Sequence, residues 1–211
     1  MKLIVQKENE LKKMSDKEKI LAFFPLNISL LPGEDIPLRI FEPRFKQLIN
    51  DCNEENMNFG IPYVNKSEIQ VYGIECKIKQ IVARNSRGEM VIVVTGISNF
   101  ETIKFLDSFP GKLYGGGVIQ SLKNDFRVHK EQLQKMLANY SVIYDPAFLK
   151  DYKTIMVNDV ARALNLSSED KYKFISLKEA ARKEHFLKAH LAYLIKLRQQ
   201  EKQLNNDYML N

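Results

Sequence analysis

Through the first 120 residues, short apolar runs are broken by turn residues, and from about residue 129 the apolar period lengthens to that of a helix. Residues 23–31 form a bounded apolar run with Asn27 and Ser29 interleaved, which predicts a strand with one buried face. Pro32-Gly33-Glu34-Asp35 is turn chemistry, since Pro presets φ and Gly accepts a positive one. Residues 36–41 predict a second strand. Pro43 then suits the first position of a helix, where no N–H partner is needed, and Phe45, Leu48, Ile49 and Cys52 recur on one helical face.

The strand series continues. Residues 58–65 are a short extended piece whose Pro62 suggests an edge, and 66–69 read as loop. Over 72–85, Ile74, Cys76 and Ile78 alternate with Glu75, Lys77 and Lys79, and the parity changes at Ile81 and Ala83, which predicts a bulge near Gln80. Ser86-Arg87-Gly88 turns the chain into the apolar run 90–94, giving a hairpin. Residues 99–106 and 112–122 are further strands, separated by Ser108-Phe109-Pro110-Gly111. Short strands with turns between them and one early helix predict a closed or nearly closed antiparallel barrel. Gly115-Gly116-Gly117 falls inside the last strand, and implies a corner, a bulge or a closely approaching backbone, or else a docking edge for an extended peptide.

Beyond the barrel the pattern is helical. Leu133, Met136, Leu137 and Tyr140 share a face before Asp145-Pro146 breaks the segment, and Val157, Val160, Ala161 and Leu164 follow. Ser167 with Asp170 resembles a capping box opening a long last helix over 169–203, whose stripe is Leu187, Leu191 and Leu194, widened by Phe186, Tyr193 and Leu197. Residues 1–20 hold a candidate amphipathic helix with Ser15 and Glu18 at capping-box spacing. The expected organisation is therefore an α+β chain with a barrel over 1–122 and a helical subdomain over 123–211.

Composition changes this picture little. The 211 residues are 45% apolar and 27% charged, as in an ordinary globular protein. There is no apolar run of membrane-spanning length, and the opening residues lack a signal-peptide pattern, so a cytoplasmic location and no membrane partner are expected. Cys52 and Cys76 lack paired spacing and read as buried thiols. The net charge of +6 is uneven. Residues 1–120 carry 16 basic against 15 acidic side chains, and 121–211 carry 16 against 11, so the helical part is the basic one, as solvated helix surface or as a face for an acidic partner or nucleic acid.

Catalytic chemistry is absent from the pattern. No GxxxxGK[ST] segment cradles phosphates, no GxSxG places a nucleophile, and no HExxH binds zinc. His185 and His190 are five apart, about 140° round a helix, and suit packing or surface roles. Neither an enzyme, a cofactor nor a metal site is expected.

The stretch FPLNISLLPG followed by IPLRIFEPRF closely resembles the opening of the LON substrate-binding domain, the amino-terminal domain of Lon proteases. Phe59-Gly60, Tyr72-Gly73, Val93-Thr95-Gly96 and the helical region from Leu164 to Gln203 match in order, so the resemblance spans residues 20–204. It implies a PUA-like barrel followed by a helical bundle, and a non-catalytic module that binds unfolded or extended polypeptide. ATPase and Ser-Lys peptidase activity belong to other domains of such proteases, so a protease or ATPase partner would act in trans. One position departs from the family. An Arg often follows the Gly of the second hairpin strand, whereas Gly96 is followed here by Ile97-Ser98-Asn99-Phe100, and Asn99 cannot make the bidentate ion pair of an Arg.

Candidate peptide-binding residues come from three places. Arg39, Phe41, Glu42 and Arg44 set charge beside aromatic surface, although a core Phe41 and Phe45 with Glu42 capping the helix is the structural alternative. Tyr63, Phe109 and Tyr114 are candidates for a groove between barrel and helices, and Gly115 and Gly116 for the docking edge. Two rival functions remain: RNA binding, since PUA-like barrels occur in RNA-modifying proteins, and a structural role docking the last helix onto an ATPase or a second copy.

Overall fold

The computed structural model describes residues 18–123, 125–144 and 155–209. The chain falls into two compact units, Met1–Lys123 and Asn124–Asn211.

Among the described residues the first unit has a six-stranded sheet and one helix. The strands are β1 (Glu18–Ala22), β2 (Asp35–Ile40), β3 (Phe59–Asn65), β4 (Glu68–Arg84), β5 (Met90–Leu106) and β6 (Gly116–Ser121), and α1 is Pro43–Glu54. All pairings between these strands are antiparallel, in the order β1-β6-β5-β4-β3, with β2 on the first half of β5. The barrel closes through a parallel seam. Just past β1, Phe24 N–H donates to Gly60 O (2.8 Å), and Leu26 pairs with β3, its carbonyl accepting from Val64 N–H (2.7 Å).

That seam corrects the first expected strand. Residues 23–31 form no ladder, because Phe23 and Phe24 are both buried, in different clusters, which a period of two forbids. The regular strand is β1, one step earlier, so Glu18 is in a strand rather than a helix. The expected helix over 1–20 otherwise lies outside the described residues, as does Asp145-Pro146.

β4 carries its ladder shift between Ile78 and Gln80, as the parity change predicts, and two more at Glu75/Cys76 and Ile81/Ala83. The shift at Cys76 turns Glu75 inward against the expected alternation. It accepts from Lys19 Nζ (2.6 Å), Asn58 Nδ2 (2.8 Å) and Ser98 Oγ (3.1 Å). Burial pushes its pKa up, and these three partners outweigh that and hold it below the ordinary carboxylate value. The expected strands 90–94 and 99–106 are one strand, since Gly96 and Ser98 both stay paired with β4 across the shift at Glu75/Cys76. Asn99 is buried there and donates to Leu30 O (3.1 Å) and Gly73 O (3.4 Å).

α1 places Phe45, Leu48, Ile49 and Cys52 in the barrel core beside Ile40, Phe59, Cys76 and Ile92. Pro43 starts it, and Glu42 at the N-cap pairs with Arg44 rather than with the helix backbone. Both cysteines are buried free thiols, and burial pushes each up to about 12.

The second unit contains α2 (Glu131–Ile143), α3 (Val157–Ala163), α4 (Ser168–Ser176) and α5 (Ala180–Met209). Leu133, Leu137 and Tyr140 are buried from α2, Val157, Val160 and Ala161 from α3, and Leu187 and Leu191 from α5. Ser167 caps α4 by accepting from Asp170 N–H (3.1 Å). The single helix expected over 169–203 is two, broken at Leu177 in extended conformation. Lys183 Nζ donates to the carbonyl of Phe174 in the last turn of α4 (2.8 Å) and lies 3.6 Å from its ring centroid. Next to it, Glu184 accepts from the N–H groups of His129 (2.9 Å) and Lys130 (2.8 Å), satisfying donors at the start of α2. Both side chains are buried.

Candidate functional site

A cleft of about 370 Å³ opens in the first unit where the first turn of α1, the end of β5 and the loop before β6 meet. Strand β1 and the seam behind it supply Phe23, whose ring stacks on Phe100 at 5.6 Å and meets Phe105 edge-on at 6.2 Å. Pro43 sets the start of α1, so Arg44 and Phe45 follow in its first turn. The Arg44 guanidinium lies 4.4 Å from the Phe45 ring centroid and is held by Glu42 (2.9 Å).

The loop from Asp107 to Gly115 is fastened to α1 by polar groups. Leu113 N–H donates to Gln47 Oε1 (2.7 Å), and Asp51 Oδ2 accepts from Lys112 Nζ (2.7 Å) and from the Tyr114 hydroxyl (2.6 Å). Burial pushes the Asp51 carboxyl up, and the two donors outweigh it and hold the group below its ordinary range. Tyr114 is raised by burial and by its bond to Asp51. So fastened, the loop leaves Leu113 64% exposed, and Phe105 (42%) and Ile69 (45%) stand on the same rim.

The glycines allow close backbone approach. A Cβ on Gly115 would lie 2.4 Å from the carbonyls of Leu106 and Asp107, and one on Gly116 2.1 Å from that of Leu21. Gly116 and Gly117 pair with β1 on one side and β5 on the other. Gly115 O accepts from Phe23 N–H (2.9 Å). The docking edge expected at this strand is thus occupied by the barrel's own neighbours.

Of the other sequence candidates, Arg44, Tyr114, Gly115 and Gly116 line the cleft, Glu42 reaches it through Arg44, and Phe109 packs on Tyr114 at 6.0 Å. Tyr63 is buried in β3. Phe41 is exposed rather than in the core, and Arg39 lines a separate groove beside Glu89. The pattern did not single out Phe23, Ile69, Phe105 or Leu113 as binding residues. The signal available was that Phe105 and Leu113 flank the Pro-Gly turn at 110–111, where a loop tip brings apolar residues together.

The cleft offers apolar surface with a paired cation on one wall and Asp107 on another. Among the described residues no group of three or more His, Cys, Asp or Glu is arranged to hold a metal ion. No helix among the described residues is long and apolar enough to cross a membrane.

Known proteins share this architecture. The family model of the ATP-dependent protease La (LON) substrate-binding domain matches residues 20–207. The crystal structure of a Lon N-terminal domain protein from Xanthomonas campestris superposes with a TM-score of 0.60 at 22% identity, covering 83% of this chain and 98% of the other. The N-terminal domain of the Mycobacterium avium complex Lon protease gives 0.55 at 14% identity, covering 82% and 98%. No curated protein matches the sequence significantly. The match over residues 20–207 takes in both the barrel with its cleft and the helical unit, and the chain belongs to the LON substrate-binding domain family.

Proposed function

We propose that the chain is a non-catalytic polypeptide-recognition module that takes an apolar side chain of an unfolded or extended segment into the cleft beside α1. The observation that carries this reading is the recess of about 370 Å³ with three large apolar side chains, Ile69, Phe105 and Leu113, left exposed on its rim. A soluble surface seldom leaves such side chains together around a concavity without an occupant. Folded proteins bury their apolar residues, so a site of this kind favours unfolded chain. Cleavage of the bound chain is left to peptidase chemistry outside these residues, and the setting is cytoplasmic. The family's substrate-binding role supports a polypeptide ligand. Asp107 at the wall, with Arg44 already paired to Glu42, disfavours a phosphate backbone and so the RNA reading.

The test is fluorescence anisotropy with a labelled, reduced and carboxymethylated polypeptide. Saturable binding that survives moderate salt is expected, weakened about tenfold by Leu113→Asp or Phe105→Asp while the thermal midpoint stays close to that of the parent protein. Equal affinity in both variants would remove the cleft as the site. Binding of a labelled single-stranded RNA in place of the polypeptide would overturn the reading itself.

A further inference from the structure

The two longest strands part at the mouth of the cleft. The β4–β5 ladder ends at the pair Tyr72 and Glu101, where the Tyr72 hydroxyl donates to Glu101 Oε1 (3.4 Å). Beyond that pair β4 keeps only β3, at Ile69 and Glu68, and β5 keeps only β6, as far as Leu106. A register shift on each side marks the divergence. Ile103 is an extra residue between Thr102 and Lys104 on β5, and the β3–β4 ladder shifts between Pro62 and Val64.

The ladder also fixes which backbone groups face the gap. Phe23 N–H donates to Gly115 O, so Gly115 and Gly117 turn their backbone groups to β1, and Gly116 turns its own to β5. Leu106, the partner of Gly116, therefore faces β6, and Phe105 beside it presents its N–H and C=O to the side that β4 has left. No strand among the described residues pairs with Phe105 there. The side chains flanking the gap are apolar and exposed: Ile69 and Val71 on β4, Ile103 and Phe105 on β5. Ile69 and Phe105 both line the cleft, so the bare edge opens into it. Folded proteins usually shield such an edge with a Pro, charges or a covering segment, because its unpaired groups template another strand. Residues 102–106, TIKFL, contain no Pro, and their one Lys stands between two exposed apolar side chains.

We propose that this edge of β5 takes an extended segment of the bound polypeptide as an added strand, pairing through the N–H and C=O of Phe105 while alternate side chains enter the cleft. The inference rests on the cleft being the polypeptide site and adds its binding mode, and with it the substrate class: extended chain with apolar residues at every second position and no Pro facing the edge. Main-chain hydrogen bonds supply affinity without reading sequence, and the pocket selects the alternate side chains. Only a chain whose own backbone groups are unpaired has such bonds to give, so native helices and sheets are refused.

The test is amide hydrogen exchange by NMR on the full chain, with a peptide of alternating valine and threonine flanked by lysines. In the free protein the Phe105 amide is expected to exchange fast between slow neighbours, Lys104 and Leu106, and at saturation to slow by about tenfold or more. The same peptide N-methylated at every second residue should lose about tenfold or more in affinity in one parity and little in the other. Binding that leaves Phe105 exchange unchanged, with both parities equal, overturns strand addition and leaves side-chain capture by the cleft standing. So does a peptide that fails to bind where the carboxymethylated polypeptide binds. If neither binds, the polypeptide reading of the cleft falls as well. Protection of Phe105 in the free protein that grows with protein concentration would overturn the proposal in favour of edge pairing between two copies of the chain.

Discussion

The Tyr114 hydroxyl donates to Asp51 Oδ2 at 2.6 Å and so ties the loop before β6 to the last turn of α1. This bond, the Lys112–Asp51 ion pair and the Leu113–Gln47 bond hold one wall of the cleft against the helix that supplies another. Tyr114→Phe removes a donor to a charged, largely buried acceptor and is expected to cost about 1–3 kcal/mol in chemical denaturation. It also loosens the Leu113 rim, so unfolded-polypeptide affinity falls with it. Unchanged stability in this variant would show that the loop is held elsewhere.

Acid should expose the same anchor. The Asp51 carboxyl sits below its ordinary value in the folded chain, so its contribution is fully present above the unfolded pKa and is lost as pH falls through the folded one. Asp51→Asn is expected to flatten the fall in stability in the acid range relative to the parent. A parent-like slope in the variant would assign the acid sensitivity to other carboxylates, Glu75 first, since it too is held below its ordinary value.

Asn99 lies near the middle of β5. Here its amide donates to two backbone carbonyls, Leu30 O and Gly73 O, from a buried position on β5. Asn99→Ala leaves these carbonyls short of a donor and is expected to destabilise the chain by about 1–3 kcal/mol. Polypeptide affinity, measured well below the melting temperature, should be unchanged, because Asn99 does not line the cleft. A loss of affinity without loss of stability would instead make this a recognition position.

The barrel was largely legible because its signals are local. Turn residues at 32–35 and 86–88, the Pro at the start of α1 and the parity change near Gln80 each act over a few residues. The site was less so. Arg44, Tyr114, Gly115 and Gly116 stood out by residue type, but Phe23, Ile69 and Phe105 meet only because a parallel seam closes the sheet, and no periodicity announces a seam. Glu75 misled for a related reason, and nothing in the pattern singled out Lys183 or Glu184. A charged residue reads as surface until distant partners are known, and theirs lie on other elements.

Lys183 gives a prediction of the same pH sense as Asp51 in a different window. Burial lowers its pKa from 10.5 to about 7, while the nearby Asp125 opposes the shift. Below pH 7 both folded and unfolded states hold the proton, and folding must bury a charge. Between about pH 7 and 10.5 the unfolded state binds the extra proton, so stability gains from this group as pH rises through that window. Lys183→Met is therefore expected to stabilise the chain more at pH 6 than at pH 9, relative to the parent, in denaturant titrations. An equal difference at both values would mean that the ammonium stays protonated over Phe174 throughout, held by the ring and the carbonyl at 2.8 Å.

The glycines before and in β6 separate close approach from conformational freedom. Gly116 has ordinary extended backbone, and what it lacks is room, because an added Cβ would stand 2.1 Å from the Leu21 carbonyl and 2.8 Å from the Phe109 ring. Gly111 is the reverse: its φ is +71°, yet nothing lies within 4 Å of an added Cβ. Gly111→Ala should therefore cost only the strain of a left-handed residue, about 1 kcal/mol. Gly116→Ala must push β1 off β6 and is expected to cost several times more, about 3 kcal/mol or beyond, with loss of the seam that carries Phe23 into the cleft. Comparing the two variants by thermal unfolding decides the matter. A Gly116→Ala protein as stable as Gly111→Ala would mean that the β1–β6 pairing has slack, and the tight backbone contact would no longer explain the glycine at that position.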